Sequence, residues 1–140
     1  MIDELRESIR SKHKPDFDFT RVEDVPFVIR PVKRVALIST AGLYLENQER
    51  FGPEDPTFRR IPADADLTRL RIWWDTAATQ PASQDLNCAF PLSLLREEKE
   101  LAPTHYTFSG AIADPRRLIE ETAPALAAEL EADAALIAPS

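Results

Sequence analysis

The 140-residue sequence has one cysteine, three glycines and two histidines. A single cysteine excludes an internal disulfide and a cysteine-rich zinc site. Three glycines cannot supply the glycine-rich phosphate loops of dinucleotide-binding or P-loop enzymes, and neither motif occurs in the sequence. The usual nucleotide-binding loops are therefore excluded.

Long apolar runs and an excess of basic charge are also missing. No apolar run approaches the roughly 20 residues that a membrane span requires, and the N-terminus lacks the apolar core of a secretory signal. The net charge of −7 argues against a nucleic-acid partner. With 44% hydrophobic residues the composition is that of a globular domain. We therefore expect a cytoplasmic protein without a membrane or nucleic-acid partner.

Residues 1–34 are predicted to form a helix followed by an arm. Apolar side chains recur at helical spacing near the start, and three prolines then exclude a long helix. Phe17 and Phe19 in the arm could dock on a neighbouring surface, and the last predicted strand is not covered by a helix. Both features favour a homo-oligomer. Residues 35–140 are predicted to form a single α/β domain, which could be shortened at its C-terminus.

Strand candidates alternate with helix candidates along the domain. The predicted strands are Val35–Ser39, Leu70–Trp74, His105–Phe108 and Ala134–Ala138. One predicted helix covers 91–100, and a second, short helix begins at Asp114–Pro115. Pro124 would clash inside that second helix, so a third helix is predicted from Thr122 to about Glu131. This alternation favours a Rossmann-like, mostly parallel sheet in three layers. The proline-rich stretch 43–66 predicts a long ordered loop.

The carboxyl end of the first predicted strand is a candidate substrate site. Thr40, Ala41 and Gly42 follow that strand directly, and open α/β sheets bind ligands at this edge. Backbone N–H groups there could meet a carboxylate, but a tight turn that needs small residues is an equally good explanation. Arg59 and Arg60 in the long loop offer guanidinium groups for a substrate carboxylate, or are solvated loop charges.

Three further side chains are candidates for substrate binding. Asp85 and Asn87 precede the predicted helix at Pro91, where they could hold a ligand or cap the helix and fix the loop. Asp75 follows two tryptophans and could bind a cation or end a strand. Both explanations stay open for each residue.

Cys88 and His105 are the candidate catalytic residues. Cys88 has two explanations. It is a redox or substrate-facing thiol at the start of a helix, where the helix dipole favours the thiolate, or it is a small buried residue beside the apolar pair that follows it. His105 could shuttle protons, although a single histidine without an identifiable partner is more often structural. The histidines, Cys88 and Asp75 do not have metal-ligand spacing, so no metal site is predicted.

Four blocks in this order resemble the selenoprotein B family of glycine, sarcosine, betaine and D-proline reductases: Val35–Leu43, Asp55–Pro62, Asp85–Leu92 and His105–Gly110. The resemblance implies an oxidoreductase in which a selenol or thiol reductively cleaves a carbon–nitrogen bond in a small amine or amino acid. It also implies a thiol donor or partner subunit that restores the reduced form. Selenocysteine is the redox group expected in the family, and this chain itself is expected to hold no cofactor.

The resemblance places the redox selenocysteine or cysteine just after a strand and a proline-containing turn. Residues 135–140 are similar to that strand and turn, so the reactive residue is expected directly after Ser140. Two hypotheses therefore stay open: a reductase component that uses this residue, and a non-catalytic binding or subunit-interface module that keeps the fold. Residues 73–75 stand where relatives have a histidine-rich segment, so no role of those histidines is carried over.

Overall fold

The computed structural model describes residues 31–73, 82, 84–110 and 112–138. All of them belong to one compact unit, Pro31–Ser140. The predicted N-terminal helix, Phe17 and Phe19 in the arm, and Asp75 lie outside the described residues.

The described residues form seven short strands and two α-helices. The strands are β1 (Arg34–Ser39), β2 (Leu43–Leu45), β3 (Phe58–Pro62), β4 (Leu70–Ile72), β5 (Glu100–Leu101), β6 (Thr104–Phe108) and β7 (Ala134–Ala138). The helices are α1 (Leu92–Glu98) and α2 (Ala123–Glu129). The fold is therefore α/β.

β1 is the central strand of a mixed five-stranded sheet. It runs parallel to β5, β6 and β7, whereas β3 pairs antiparallel with β6. Backbone groups of consecutive β1 residues point to opposite edges: the Val35 carbonyl accepts from Ala102, whereas the Arg34 carbonyl accepts from Asp133. β7 therefore lies along one edge of β1, and β5 and β6 follow each other along the other.

The apolar run of β1 explains its central position. Ala36 and Leu37 are fully buried, as expected for a strand that is covered on both faces. The buried core next to the sheet is formed by Leu37, Leu43, Ile61, Leu70, Phe90 and Leu92. Each leucine buried in this way stabilises the fold by about 2 kcal/mol. The predictions of β1, β7 and α1 are confirmed to within about two residues.

The stretch 43–66 was expected as a loop, and this expectation is wrong. It contains β2 and β3, and β2 pairs antiparallel with β4 in a separate two-stranded ribbon. Prolines are tolerated because Pro62 is the last residue of β3, which pairs only with β6 among the described strands. The strands are three and five residues long, too short for alternation to stand out between turn residues.

Pro124 does not divide the last helical region. A π-helical turn at Leu118–Thr122 precedes α2, and the N–H of Ala123 donates to the carbonyl of Leu118, five residues back. Pro124 follows this turn within one continuous helical region, and the wider turn accommodates a residue that has no N–H to donate. Thr122 has helical backbone angles and does not cap α2. Its hydroxyl donates to the Pro56 carbonyl instead, at 2.8 Å.

Candidate functional site

The fully buried side chain of Ser39 joins the end of β1 to a distant turn. Its hydroxyl donates to the Ala89 carbonyl at 2.8 Å and accepts the N–H of Ala41 at 3.2 Å. The turn that contains Ala89 therefore lies at the carboxyl end of β1, where parallel sheets commonly bind ligands. We call residues 39–42 and 85–90 together the carboxyl-edge site.

The loop that follows β1 uses its backbone N–H groups within the chain. The N–H of Thr40 donates to Ala138 at 3.3 Å, and the N–H of Gly42 donates to Phe108 at 2.7 Å. Gly42 has a φ of +64°, in the left-handed region that favours glycine. The geometry is that of a tight turn, so a carboxylate would not meet these N–H groups in this conformation.

Asp85 and Asn87 are linked to each other and to α1. They belong to a single 3-10 turn, Leu86–Cys88, which Asp85 caps. One carboxylate oxygen of Asp85 accepts both the backbone N–H and the side-chain N–H of Asn87, each at 3.0 Å. The Asn87 side-chain oxygen accepts from the hydroxyl of Ser93 at 2.5 Å. The pair therefore fixes the turn against the first turn of α1.

Cys88 is exposed, contrary to the alternative of a buried residue, whereas Ala89 and Phe90 are buried. A 3-10 turn has three residues per turn. The last residue of this turn faces outward, and the chain then enters the core at Phe90. The backbone N–H of Cys88 donates to the Asp85 carbonyl at 3.1 Å. The thiol of the carboxyl-edge site is therefore accessible to a small molecule or to a partner's thiol.

His105 lies in the core and supports β1. Val35 pairs with Leu101 whereas Ile38 pairs with Tyr106, so three steps along β1 correspond to five along its neighbour. The extra residues lie between β5 and β6 and interrupt the strand pairing opposite Leu37. Nδ1 of His105 occupies this gap and accepts the Leu37 N–H at 2.9 Å.

The surroundings of His105 keep its imidazole neutral. Burial, and in addition the positive charge of Arg96, lower the pKa of His105 to about 4. Because Nδ1 accepts a hydrogen bond, the ring proton is on Nε2, which has no hydrogen-bond partner among the described residues. The rings of Phe90 and His105 are nearly perpendicular, with an interplanar angle of 80° and centroids 6.4 Å apart. This geometry is that of a structural histidine enclosed in the core.

Arg59 lies on β3 at the level of the carboxyl-edge site, but its side chain makes its contacts elsewhere. Its side chain is 11% exposed and binds Asp55 at 3.0 Å. It also donates to the Glu49 carbonyl at 2.7 Å and lies over the ring of Phe51, 4.1 Å from the centroid. Burial raises the pKa of Asp55, but hydrogen bonds from Thr57 and Arg59 together outweigh burial and lower it. Arg59 therefore holds the loop 49–57 together.

Arg60 contacts α2 rather than the carboxyl-edge site. Its guanidinium binds both carboxylate oxygens of Glu129, at 2.8 and 2.6 Å. The hydrogen bond from Arg60 is the main reason why the pKa of Glu129 lies below its ordinary value. The pair connects β3 to the C-terminal end of α2.

Three buried hydroxyl residues near the carboxyl-edge site were missed in the sequence. Thr107 pairs with Ser39, and its hydroxyl donates to the Leu43 carbonyl. Ser109 is 3% exposed, and its hydroxyl has no partner among the described residues. Two features of the sequence could have indicated these residues. Ser39 stands at the end of an apolar run, and the spacing of Thr107 and Ser109 places both side chains on one face of the sheet.

Among the described residues, no three His, Cys, Asp or Glu side chains come together as a metal site would require. None of the helices in this part of the chain has the length and hydropathy needed to cross a membrane.

The chain is similar to the gamma subunit of D-proline reductase from Acetoanaerobium sticklandii, with 32% identity over 104 residues. It is a partial homologue of a reductase subunit. The aligned region covers 69% of this chain and 43% of the relative, so the chain spans less than half of the curated relative it matches. The similarity to this D-proline reductase subunit supports the resemblance at the level of proline and glycine reductases. No family model and no solved structure matches the chain.

Proposed function

We propose that this chain is a component of a reductase system that acts on a small amine or amino acid. The observation that carries the proposal is the 32% identity over 104 residues with a D-proline reductase gamma subunit. In such a reaction two electrons and two protons cleave a carbon–nitrogen bond, so that the carbon gains a hydrogen and the nitrogen becomes an amine. A dithiol supplies the electrons and ends as a disulfide.

The topology supports a reaction centre at the carboxyl-edge site. β7 is parallel to β1, and the Ala138 carbonyl accepts the N–H of Thr40 at 3.3 Å, so both strands end at the same edge. A selenol or thiol after Ser140, which the resemblance predicts, would therefore follow β7 from this edge. Cys88 is exposed at the same edge and is a candidate partner thiol for that residue.

The finer features of the proposal stay predictions. They are selenocysteine as the redox residue, a partner reductase subunit, a homo-oligomer, a cytoplasmic location and a Rossmann-like, three-layer arrangement with an N-terminal helical arm.

The proposal is tested on the protein isolated from its native cells. Intact mass and C-terminal sequencing would identify any residue after Ser140. The protein, with its co-purified partners, would then be incubated with D-proline, glycine, sarcosine or betaine and with dithiothreitol. We expect loss of one of these substrates and oxidation of one dithiol for each bond cleaved. Dithiol oxidation that does not depend on any amine or amino acid would contradict the proposal.

A non-catalytic subunit-interface module is the second candidate function. β7 pairs only with β1 among the described strands, and its Leu136 and Ile137 are 44% and 63% exposed. An uncharged edge strand with exposed apolar side chains is suited to pairing with another chain. Light scattering after size exclusion would compare Ile137→Lys with Ile119→Lys, which changes another apolar residue, 55% exposed. We expect only Ile137→Lys to dissociate a complex, and equal behaviour of both variants would remove this candidate.

A further inference from the structure

A groove of about 460 Å³ runs along β4. Four apolar side chains form much of its wall, namely those of Leu67, Leu70, Ile72 and Leu86. This volume lies within the roughly 300–1,000 Å³ that small-molecule sites occupy. The groove is therefore large enough for a small organic ligand with an apolar body.

The groove lies on the side of β4 that faces away from β2. The Trp73 N–H donates to the Gly42 carbonyl at 3.0 Å, and the Arg69 carbonyl accepts from Glu46 at 3.1 Å. Because backbone groups alternate along an antiparallel pair, the N–H of Ile72 points to the other edge. The lining residues come from β4, the turn before it, and Ala82, Gln84 and Leu86, so Ile72 presents a backbone donor to the groove.

Arg71 is the only charged residue among the described residues that line the groove. Its guanidinium donates to the carbonyls of Thr68 and Leu70, at 2.9 and 2.7 Å, and to the carboxylate of Glu46. These bonds use three of the five N–H groups that an arginine carries. Its side chain is 47% exposed, so a ligand can reach the guanidinium.

Two acidic groups on the neighbouring turns are bound within those turns. Asp66 accepts the backbone N–H and the hydroxyl of Thr68, at 3.0 and 2.7 Å. Asp85 accepts two hydrogen bonds from Asn87. Neither aspartate lines the groove, so the carboxylate with which a ligand would compete for Arg71 is that of Glu46.

We propose that the groove along β4 binds small carboxylates with an apolar body. The carboxylate binds the Arg71 guanidinium, and the body packs on Leu67 and Leu86. Charge-assisted hydrogen bonds from arginine orient a carboxylate, and burial of the body contributes the remaining affinity. This binding does not require that the chain takes part in a reductase, and it can be measured without any redox assay.

The test is a titration of the full chain with benzoate, followed by the amide chemical shifts of Ile72 and Leu86. We expect saturable shifts at both residues. Arg71→Gln should weaken benzoate binding by about tenfold or more, because it removes hydrogen bonds to a charged group. Glu46→Gln should tighten binding by about threefold, because it removes a competing carboxylate that lies within the Debye length.

An exposed ion pair elsewhere provides matched controls. Arg117 and Glu121 lie 3.2 Å apart on the helical segment, and their side chains are largely exposed. Arg117→Gln and Glu121→Gln make the same charge changes away from the groove and should leave benzoate affinity unchanged. Equal weakening by Arg71→Gln and Arg117→Gln would show that only net charge matters and would overturn the proposal.

Two further arms keep the proposal testable if Arg71→Gln fails to fold. Gln84 lines the groove and is exposed, so Gln84→Trp should fill the groove and abolish the benzoate shifts without a charge change. Benzylamine has a similar body with a positive charge and should bind more weakly than benzoate. No saturable benzoate shifts, shifts that persist in Gln84→Trp, or tighter binding of benzylamine would each overturn the proposal.

Discussion

The backbone N–H of Leu37 donates to Nδ1 of His105 at 2.9 Å, so a side chain takes the place of a strand carbonyl in the centre of the sheet. Both residues are fully buried. His105→Ala should therefore destabilise the protein by about 3 kcal/mol, because it leaves a buried N–H unpaired and creates a cavity. His105→Asn, which keeps an acceptor, should recover part of the loss. Urea unfolding of the three proteins measures this, and equal stability of all three would contradict the role.

The stability of the protein should fall on mild acidification because of the same histidine. The pKa of His105 is about 4 in the folded protein, against about 6.5 in an unfolded chain. The unfolded state binds the proton first as the pH falls below 6.5, so stability is lost from there down to about pH 4. Between pH 7 and pH 5 the loss should be about 2 kcal/mol. His105→Asn should lack this part of the pH dependence, and an identical slope in both proteins would show that other groups cause it.

Gly42→Ala should destabilise the turn after β1. Gly42 has a φ of +64°, and an added Cβ would lie 3.5 Å from Cβ of Trp73, an ordinary contact. The cost therefore comes from the backbone, about 1–2 kcal/mol for a residue with a side chain in this region. Gly52→Ala is the matched control, because an added Cβ there meets nothing within 4 Å. Thermal unfolding should separate the two variants, and a larger loss in Gly52→Ala would contradict the assignment.

Arg59 should contribute more to stability than an exposed arginine does. Arg59→Ala removes hydrogen bonds to the Glu49 carbonyl and to Asp55, and leaves that carboxylate without its cation. We expect a loss of about 2–3 kcal/mol, measured by denaturant unfolding. Arg117→Ala is the control, and its exposed ion pair with Glu121 should be worth less than about 1 kcal/mol. Similar losses in both variants would show that the loop 49–57 does not depend on Arg59.

Cys88 should react with Ellman's reagent in the folded protein. The residue is exposed at the end of its turn, so modification does not require unfolding. We expect complete labelling under native conditions, at a rate that denaturant raises by less than about tenfold, because no opening step limits access. Asp85→Ala removes the cap of the turn and provides a comparison for local opening. A thiol that reacts only after denaturation would contradict its exposure at the carboxyl-edge site.

Elements with a strong apolar pattern were predictable, and contacts between distant residues were not. The runs at Val35–Ser39 and Ala134–Ala138 predicted β1 and β7 as buried strands of a parallel sheet, which need no alternation. β1 is buried at Ala36 and Leu37, whereas β7 is an edge strand among the described residues with Leu136 and Ile137 exposed, so its burial was predicted wrongly. β2 was missed because its three residues are held by pairing with β4, which no local pattern records. Pro124 predicts a break in the helix because the sequence does not show that a preceding π-helical turn can accommodate the proline.

The candidate site shows the same division. Strand direction predicts that residues 40–42 lie at the carboxyl end of β1, and the structure places them there. For Asp85 and Asn87 the sequence leaves ligand binding and a loop-fixing role open, and the structure shows hydrogen bonds that fix the turn. Arg59 was proposed for a substrate because its type suits a carboxylate, but its partners Asp55 and Phe51 could be known only from the folded loop. Cys88 and Ala89 are neighbours in sequence and differ in exposure, a difference set by the turn rather than by composition.

A histidine is needed at position 105 because two extra residues lie between β5 and β6. If Ala102 and Pro103 were deleted, β5 and β6 could join into one continuous strand, and a main-chain carbonyl would reach Leu37 directly. An imidazole at position 105 would then have no acceptor role to fill. The two-residue insertion and the histidine should therefore be gained or lost together during evolution. Related chains with the shorter connection should tolerate an aliphatic residue at this position.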